Sequence, residues 1–142
     1  MDIGLLGFAA AIGLAAVGSA FGIGAAGMAA IGAWKKCFVQ NKTAPFLLVA
    51  FVAAPLTQTI YGMILMNTLF NAKATSAIAL LGMGLFGGIA IGFSAFFQGK
   101  IAAAASDSLA ETGKGFGQYM IAIGLAETVA VFVLVFLLAL IK

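Results

Sequence analysis

The spacing of its charges constrains this chain most. They fall at positions 2, 35, 36, 42, 73, 100, 107, 111, 114, 127 and 142, leaving uncharged runs over 3–34, 43–72 and 74–99. Each run exceeds the roughly 20 residues that a helix needs to cross a bilayer. A fourth stretch, 115–141, is interrupted by Glu127 alone. With 64% hydrophobic residues in a chain of 142, no segment is left for a water-soluble domain. Backbone groups in lipid must be satisfied within the spanning element, and runs of this length do so as helices. The predicted fold is an all-α membrane protein with four transmembrane helices, over about 3–34, 43–72, 74–106 and 115–141. Such a chain has no room for a catalytic site of its own, so any soluble catalysis belongs to its partners. The net charge of +3 is spread over loops and termini and does not point to nucleic acid. The opening Met-Asp-Ile-Gly lacks a basic leader region, so no cleaved signal peptide is expected. The lone Cys37 is placed in the first loop as a free thiol, since one cysteine makes neither an intrachain disulfide nor a metal site.

Lysine placement orients the bundle. Lys35, Lys36 and Lys42 are assigned to the first loop and Lys100 and Lys114 to the third, against Lys73 in the second and Lys142 at the C-terminus. The excess of lysine places loops one and three in the cytoplasm and both termini outside.

The two halves are related. Leu5-Leu6-Gly7 recurs as Leu80-Leu81-Gly82, Ser19-Ala20-Phe21 recurs as Ser94-Ala95-Phe96, and Gly24 falls on Gly99 at the same shift. In the second helix of each half, Gln58-Thr59 falls on Glu127-Thr128, with a longer first loop absorbing the difference. The chain therefore reads as two tandem hairpins in parallel orientation, 1–73 and 74–142. Glu127 has the neutral Gln58 as its counterpart, and Gln98 has the apolar Ile23.

The helices within each hairpin differ in kind. Glycines crowd the first and third helices, including Gly18 and Gly22 in one and Gly84, Gly88 and Gly92 in the other. The second and fourth are rich in Phe, Leu, Val and Ile. Small residues at four-residue spacing let backbones approach closely in lipid. This segregation predicts a crowded inner layer and a lipid-facing outer layer. A closed ring of many copies needs that asymmetry, because its inner circumference is smaller.

Glu127 is the residue that asks for a function. A carboxylate in the middle of a membrane span costs several kcal/mol, and such a group marks an ion or proton pathway by default. The chain has no arginine, and no lysine is expected at a matching depth. The positive partner is then a proton, a bound cation or a group on another protein. Other oxygens lie at the same depth. Positions 54, 57, 58 and 61 share one face of the second helix, bringing Thr57, Gln58 and Tyr61 together, and the third helix adds Gln98. Pro55 frees a carbonyl in the preceding turn. Singly, these polar residues read equally well as interhelical hydrogen-bond glue. Together they supply one negative charge and several neutral oxygens, the set that a hard cation prefers. The sequence leans toward Na+, with H+ as the alternative.

These residues carry a family resemblance. Pro55-Leu56-Thr57-Gln58 followed by Tyr61, Gln98-Gly99-Lys100-Ile101-Ala102-Ala103-Ala104 and Ala126-Glu127-Thr128, after a glycine-rich first helix, resemble the duplicated proteolipid of V-type and A/V-type rotary ATPases, especially its sodium-pumping bacterial members. The resemblance implies a homo-oligomeric rotor ring in a bacterial plasma membrane. It implies that Glu127 is the essential carboxylate, with Thr57, Gln58 and Gln98 giving side-chain oxygens to Na+. Ala54 would add its backbone carbonyl, and Tyr61 would lock the site by hydrogen-bonding the carboxylate. It further implies a stator subunit with an arginine, a central-stalk subunit docked on the cytoplasmic loops, and lipid around the ring. A small four-helix antiporter is the rival of another class, but its essential glutamate would usually lie in the first helix, where this chain has no ionisable residue.

Overall fold

The computed structural model describes residues 3–72 and 74–141. It is helical throughout: α1 is Ile3–Val39, α2 Leu48–Ala53, α3 Thr57–Asn71, α4 Ala77–Thr112 and α5 Phe116–Leu140. A 3-10 turn over Ala54–Leu56 joins α2 to α3, so the two make one interrupted span. Among the described residues, four spans are long and apolar enough to cross a membrane, Ile3–Val39, Leu48–Asn71, Ala77–Thr112 and Phe116–Leu140. The chain is an integral, multi-pass membrane protein.

Several helix ends lie beyond the limits expected from charge. A lysine ends a membrane span, but it does not end a helix. α1 runs on through Lys35 and Lys36 to Val39 because nothing breaks it before Asn41, whose φ of 53° is left-handed. The Trp34 indole then donates to the Pro45 carbonyl at 2.8 Å and closes the loop. Cys37 is thus not a loop residue. It is buried in the last turn of α1, with its thiol 3.8 Å from the Ala110 carbonyl. α4 likewise continues to Thr112 and stops at Gly113, where φ is +66°. Lys100 therefore belongs to α4 rather than to the third loop. Lys73 and Lys142, which enter the lysine count that orients the bundle, lie outside the described residues.

α1 and α4 form the inner pair, in contact along most of their lengths, with the second span and α5 stacked on them. A Cβ on Gly7 would meet Leu80, one on Gly18 would meet Gly92, and one on Gly22 would meet Ala95, all at backbone atoms. Gly84 and Gly88 face the backbones of Gly7 and Ala10 in the same way. Residue numbers rise together along both helices, so α1 and α4 run parallel. Lys36 and Glu111 pair at 3.5 Å near the C-terminal ends of the two, which puts loops one and three on the same side. At 37 and 36 residues, α1 and α4 are about 55 Å long at 1.5 Å per residue, well beyond the hydrocarbon core of roughly 30 Å.

Two apolar clusters fill the space between the layers. Ala11, Ala15, Leu65, Leu69, Ile91 and Ala130 lie toward the termini. Ala26, Ala30, Phe51, Ala102, Leu109 and Ile123 lie toward loops one and three. The polar residues sit between them.

Candidate ion-binding site

Pro55 shapes one wall of the site. It cannot donate a backbone hydrogen bond, and the helix tightens there into the 3-10 turn. The carbonyl of Ala54 then accepts from both the backbone N–H and the hydroxyl of Thr57, the latter at 3.1 Å. The Thr57 hydroxyl also lies 3.1 Å from Gln58 Oε1. Gln58 is fully buried, and its Nε2 donates to Gln98 Oε1 on α4 at 2.7 Å. Gln98, also fully buried, donates from Nε2 to the Ile123 carbonyl at 3.2 Å and to Glu127 Oε2 at 3.3 Å. From the other side, the Tyr61 hydroxyl donates to Glu127 Oε1 at 2.6 Å.

The structure therefore joins all six sequence-predicted positions into one continuous set: Ala54, Thr57, Gln58, Gln98, Glu127 and Tyr61. Three spans contribute: Tyr61 and Gln98 bond the carboxylate directly, and Gln58, Thr57 and the Ala54 carbonyl follow in a chain behind Gln98. The set holds one formal negative charge with no basic side chain bonded to it among the described residues. Its donor atoms are all oxygens or amide nitrogens. No cluster of His, Cys, Asp and Glu suited to a transition metal occurs among the described residues.

Contrary to expectation, a lysine lies near the depth of the carboxylate. Lys100 lies only two residues beyond Gln98 on α4, so a lysine does stand at a matching depth. It does not neutralise Glu127, because two residues turn a helix by about 200°. Its side chain is on the exposed face instead, with the ammonium 5.3 Å from the ring centre of Phe96 and 5.8 Å from that of Phe97. Aromatic faces attract a cation at such distances, which allows a lysine to sit inside a span.

Sequence reasoning missed Ser94 as a site neighbour. Its hydroxyl donates to the Ala126 carbonyl at 2.7 Å, one residue before the carboxylate. The signal was present, because Ser94 belongs to the repeated Ser-Ala-Phe and lies one helical turn before Gln98.

Residues 81–140 match the family of the ATP synthase C subunit. Over 131 residues, 92% of this chain, the sequence is 34% identical to the A-type ATP synthase subunit K of Methanocaldococcus jannaschii. The match covers 57% of that protein, so the chain spans little more than half of its relative's length.

Proposed function

We propose that the chain belongs to the ATP synthase C-subunit family and is the ion-carrying rotor subunit of an A/V-type rotary ATPase. The carrying observation is a mid-span carboxylate with no cation of its own, set among neutral oxygens from three spans. Na+ is the ion we assign. The oxygens of Thr57, Gln58 and Gln98, the Ala54 carbonyl and the Glu127 carboxylate make an all-oxygen set suited to a hard cation. A proton is held by the carboxyl itself with one hydrogen-bond acceptor and does not call for this many neutral oxygens. Tyr61 holds one carboxylate oxygen of Glu127 while Gln98 holds the other.

Electrostatics turns such a site into a rotor. With Na+ bound, Glu127 is neutralised and the site passes lipid at low cost. Once emptied, the bare carboxylate is strongly disfavoured by lipid. It must then face water or a fixed cation, and an arginine on a stator subunit would meet that need. A closed ring of copies of this chain would carry the ion from one aqueous access to the other. The loop-one and loop-three side would face the cytoplasm and dock a central-stalk subunit. The complex supplies the ATP chemistry, and this subunit supplies only the ion path. A bacterial plasma membrane suits a Na+ site of this kind.

Carbodiimide labelling tests the ion. These reagents attack a protonated carboxyl group, so low pH speeds modification of Glu127 and millimolar Na+ slows it, while K+ protects far less. Gln98→Ile copies the first repeat, where Ile23 holds the place, and leaves the carboxyl intact. A neutral oxygen facing a buried charge contributes about as much as a charged hydrogen bond. Half-protection in that variant then needs about 10- to 100-fold more Na+. If Na+ fails to protect the native protein at any pH, the ion is H+.

A further inference from the structure

The duplication places a serine at the same point of both inner helices, yet the two behave differently. Ser94 on α4 is buried and donates to the Ala126 carbonyl at 2.7 Å. One turn further on, Gln98 donates to the Ile123 carbonyl at 3.2 Å. These two rungs join α4 to the backbone of α5 just before Glu127. α5 is a continuous helix across both carbonyls, so the rungs are additional to its own hydrogen bonds. In the first hairpin the counterpart Ser19 is equally buried, but its hydroxyl has no partner among the described residues. Ile23 stands where Gln98 would supply the second rung. A buried serine here does not find a carbonyl automatically. Both rungs occur in the hairpin that carries the carboxylate, and neither occurs in the one that does not.

We propose that Ser94 is a positioning residue for Glu127: its bond to the Ala126 carbonyl fixes the rotation of α5 one residue before the carboxylate, and so sets the affinity of the site for its ion. Ser94 touches neither the carboxylate nor the oxygens assigned to the ion. Gln98 and Tyr61 also hold Glu127, but both belong to the site itself. A small rotation of α5 would carry the carboxylate away from Gln98 and toward lipid, and Ser94 opposes that rotation whether or not an ion is bound. The proposal rests on reading Glu127 as the ion carrier.

The test uses carbodiimide labelling of Glu127 in the assembled full-length protein, with Na+ and pH varied. Losing one hydrogen bond corresponds to about a fivefold change in an equilibrium. Ser94→Ala is expected to need about fivefold more Na+ for half-protection, with assembly unchanged. Ser94→Thr is expected to stay within about twofold of the native protein. It keeps the hydroxyl, and Ser94 borders a groove that it lines with Ala90, Phe93, Phe97, Ala126 and Val129. Ser19→Ala should leave the midpoint where it was. If Ser94→Ala does not assemble, Ser94→Cys keeps the volume with a much weaker donor and should shift the midpoint in the same direction. An unmoved midpoint in Ser94→Ala, or in Ser94→Cys where that stands in for it, overturns the proposal. So does an equal shift in Ser19→Ala, or a Ser94→Thr protein that behaves like Ser94→Ala. If native Glu127 is not protected by Na+, the Na+ assignment fails separately. The same variants are then compared by the pH midpoint of labelling, and an unmoved midpoint in Ser94→Ala again sinks the role of Ser94.

Discussion

Replacing Glu127 by Gln is expected to abolish coupled ion transport while leaving the chain inserted and assembled. The substitution keeps the side-chain size and removes the one charge that the site offers a cation. Two unit charges 4 Å apart attract by about 4 kcal/mol at an effective dielectric of about 20, which corresponds to roughly a thousandfold in affinity. The packing has no reason to change. Gln98, now donating to Oε2 at 3.3 Å, can donate to the amide oxygen in the same place. The new amide nitrogen can in turn donate to the hydroxyl oxygen of Tyr61, now 2.6 Å from Glu127 Oε1. The measurement is Na+ uptake into vesicles driven by ATP in the reconstituted complex, alongside native gels of the purified variant. Native transport rates in Glu127→Gln would remove the rotor reading. Loss of assembly would show that the carboxylate is structural.

Much of this site was legible because lipid makes polar residues conspicuous. Thr57, Gln58, Tyr61, Gln98 and Glu127 stand out against long apolar runs, and helical spacing alone places the first three on one face. Their order of connection was not legible. That Gln58 reaches Gln98 rather than the carboxylate, and that Tyr61 takes the other carboxylate oxygen, depends on how three spans pack. Helix ends were less legible for a single reason: charge is a poor proxy for the end of a helix. Lys100 shows why the proxy fails. Its ammonium rests on Phe96 and Phe97, and a helix of 36 residues has ample length on either side of it. The same proxy misplaces Cys37. The Ser94 bond was hidden for a different reason. The repeat marks Ser19 and Ser94 as equivalent, and only the packed structure separates the bonded one from the unbonded one.

Gly18→Ala is expected to break the inner pair even though alanine is the better helix former. In an exposed helix interior this change stabilises by about 1 kcal/mol. At Gly18 the added Cβ would fall on the Cα and carbonyl of Gly92, well inside van der Waals contact. The obstructing atoms are backbone, so no side chain can swing away, and α1 and α4 must separate. Overpacking of this kind typically costs about 1–3 kcal/mol or more. Any separation at Gly92 also moves Ser94 and Gln98, which follow on the same helix within two turns and hold α5 in place. Gly18→Ala should therefore lower the temperature at which the assembly survives in mild detergent and weaken Na+ protection of Glu127 together. Gly117→Ala is the matched control, because a Cβ there meets nothing within 4 Å. It should be neutral or slightly stabilising by the same heating assay. If both variants are as stable as the native protein, α1 and α4 do not pack backbone to backbone, and the inner layer must be sought elsewhere.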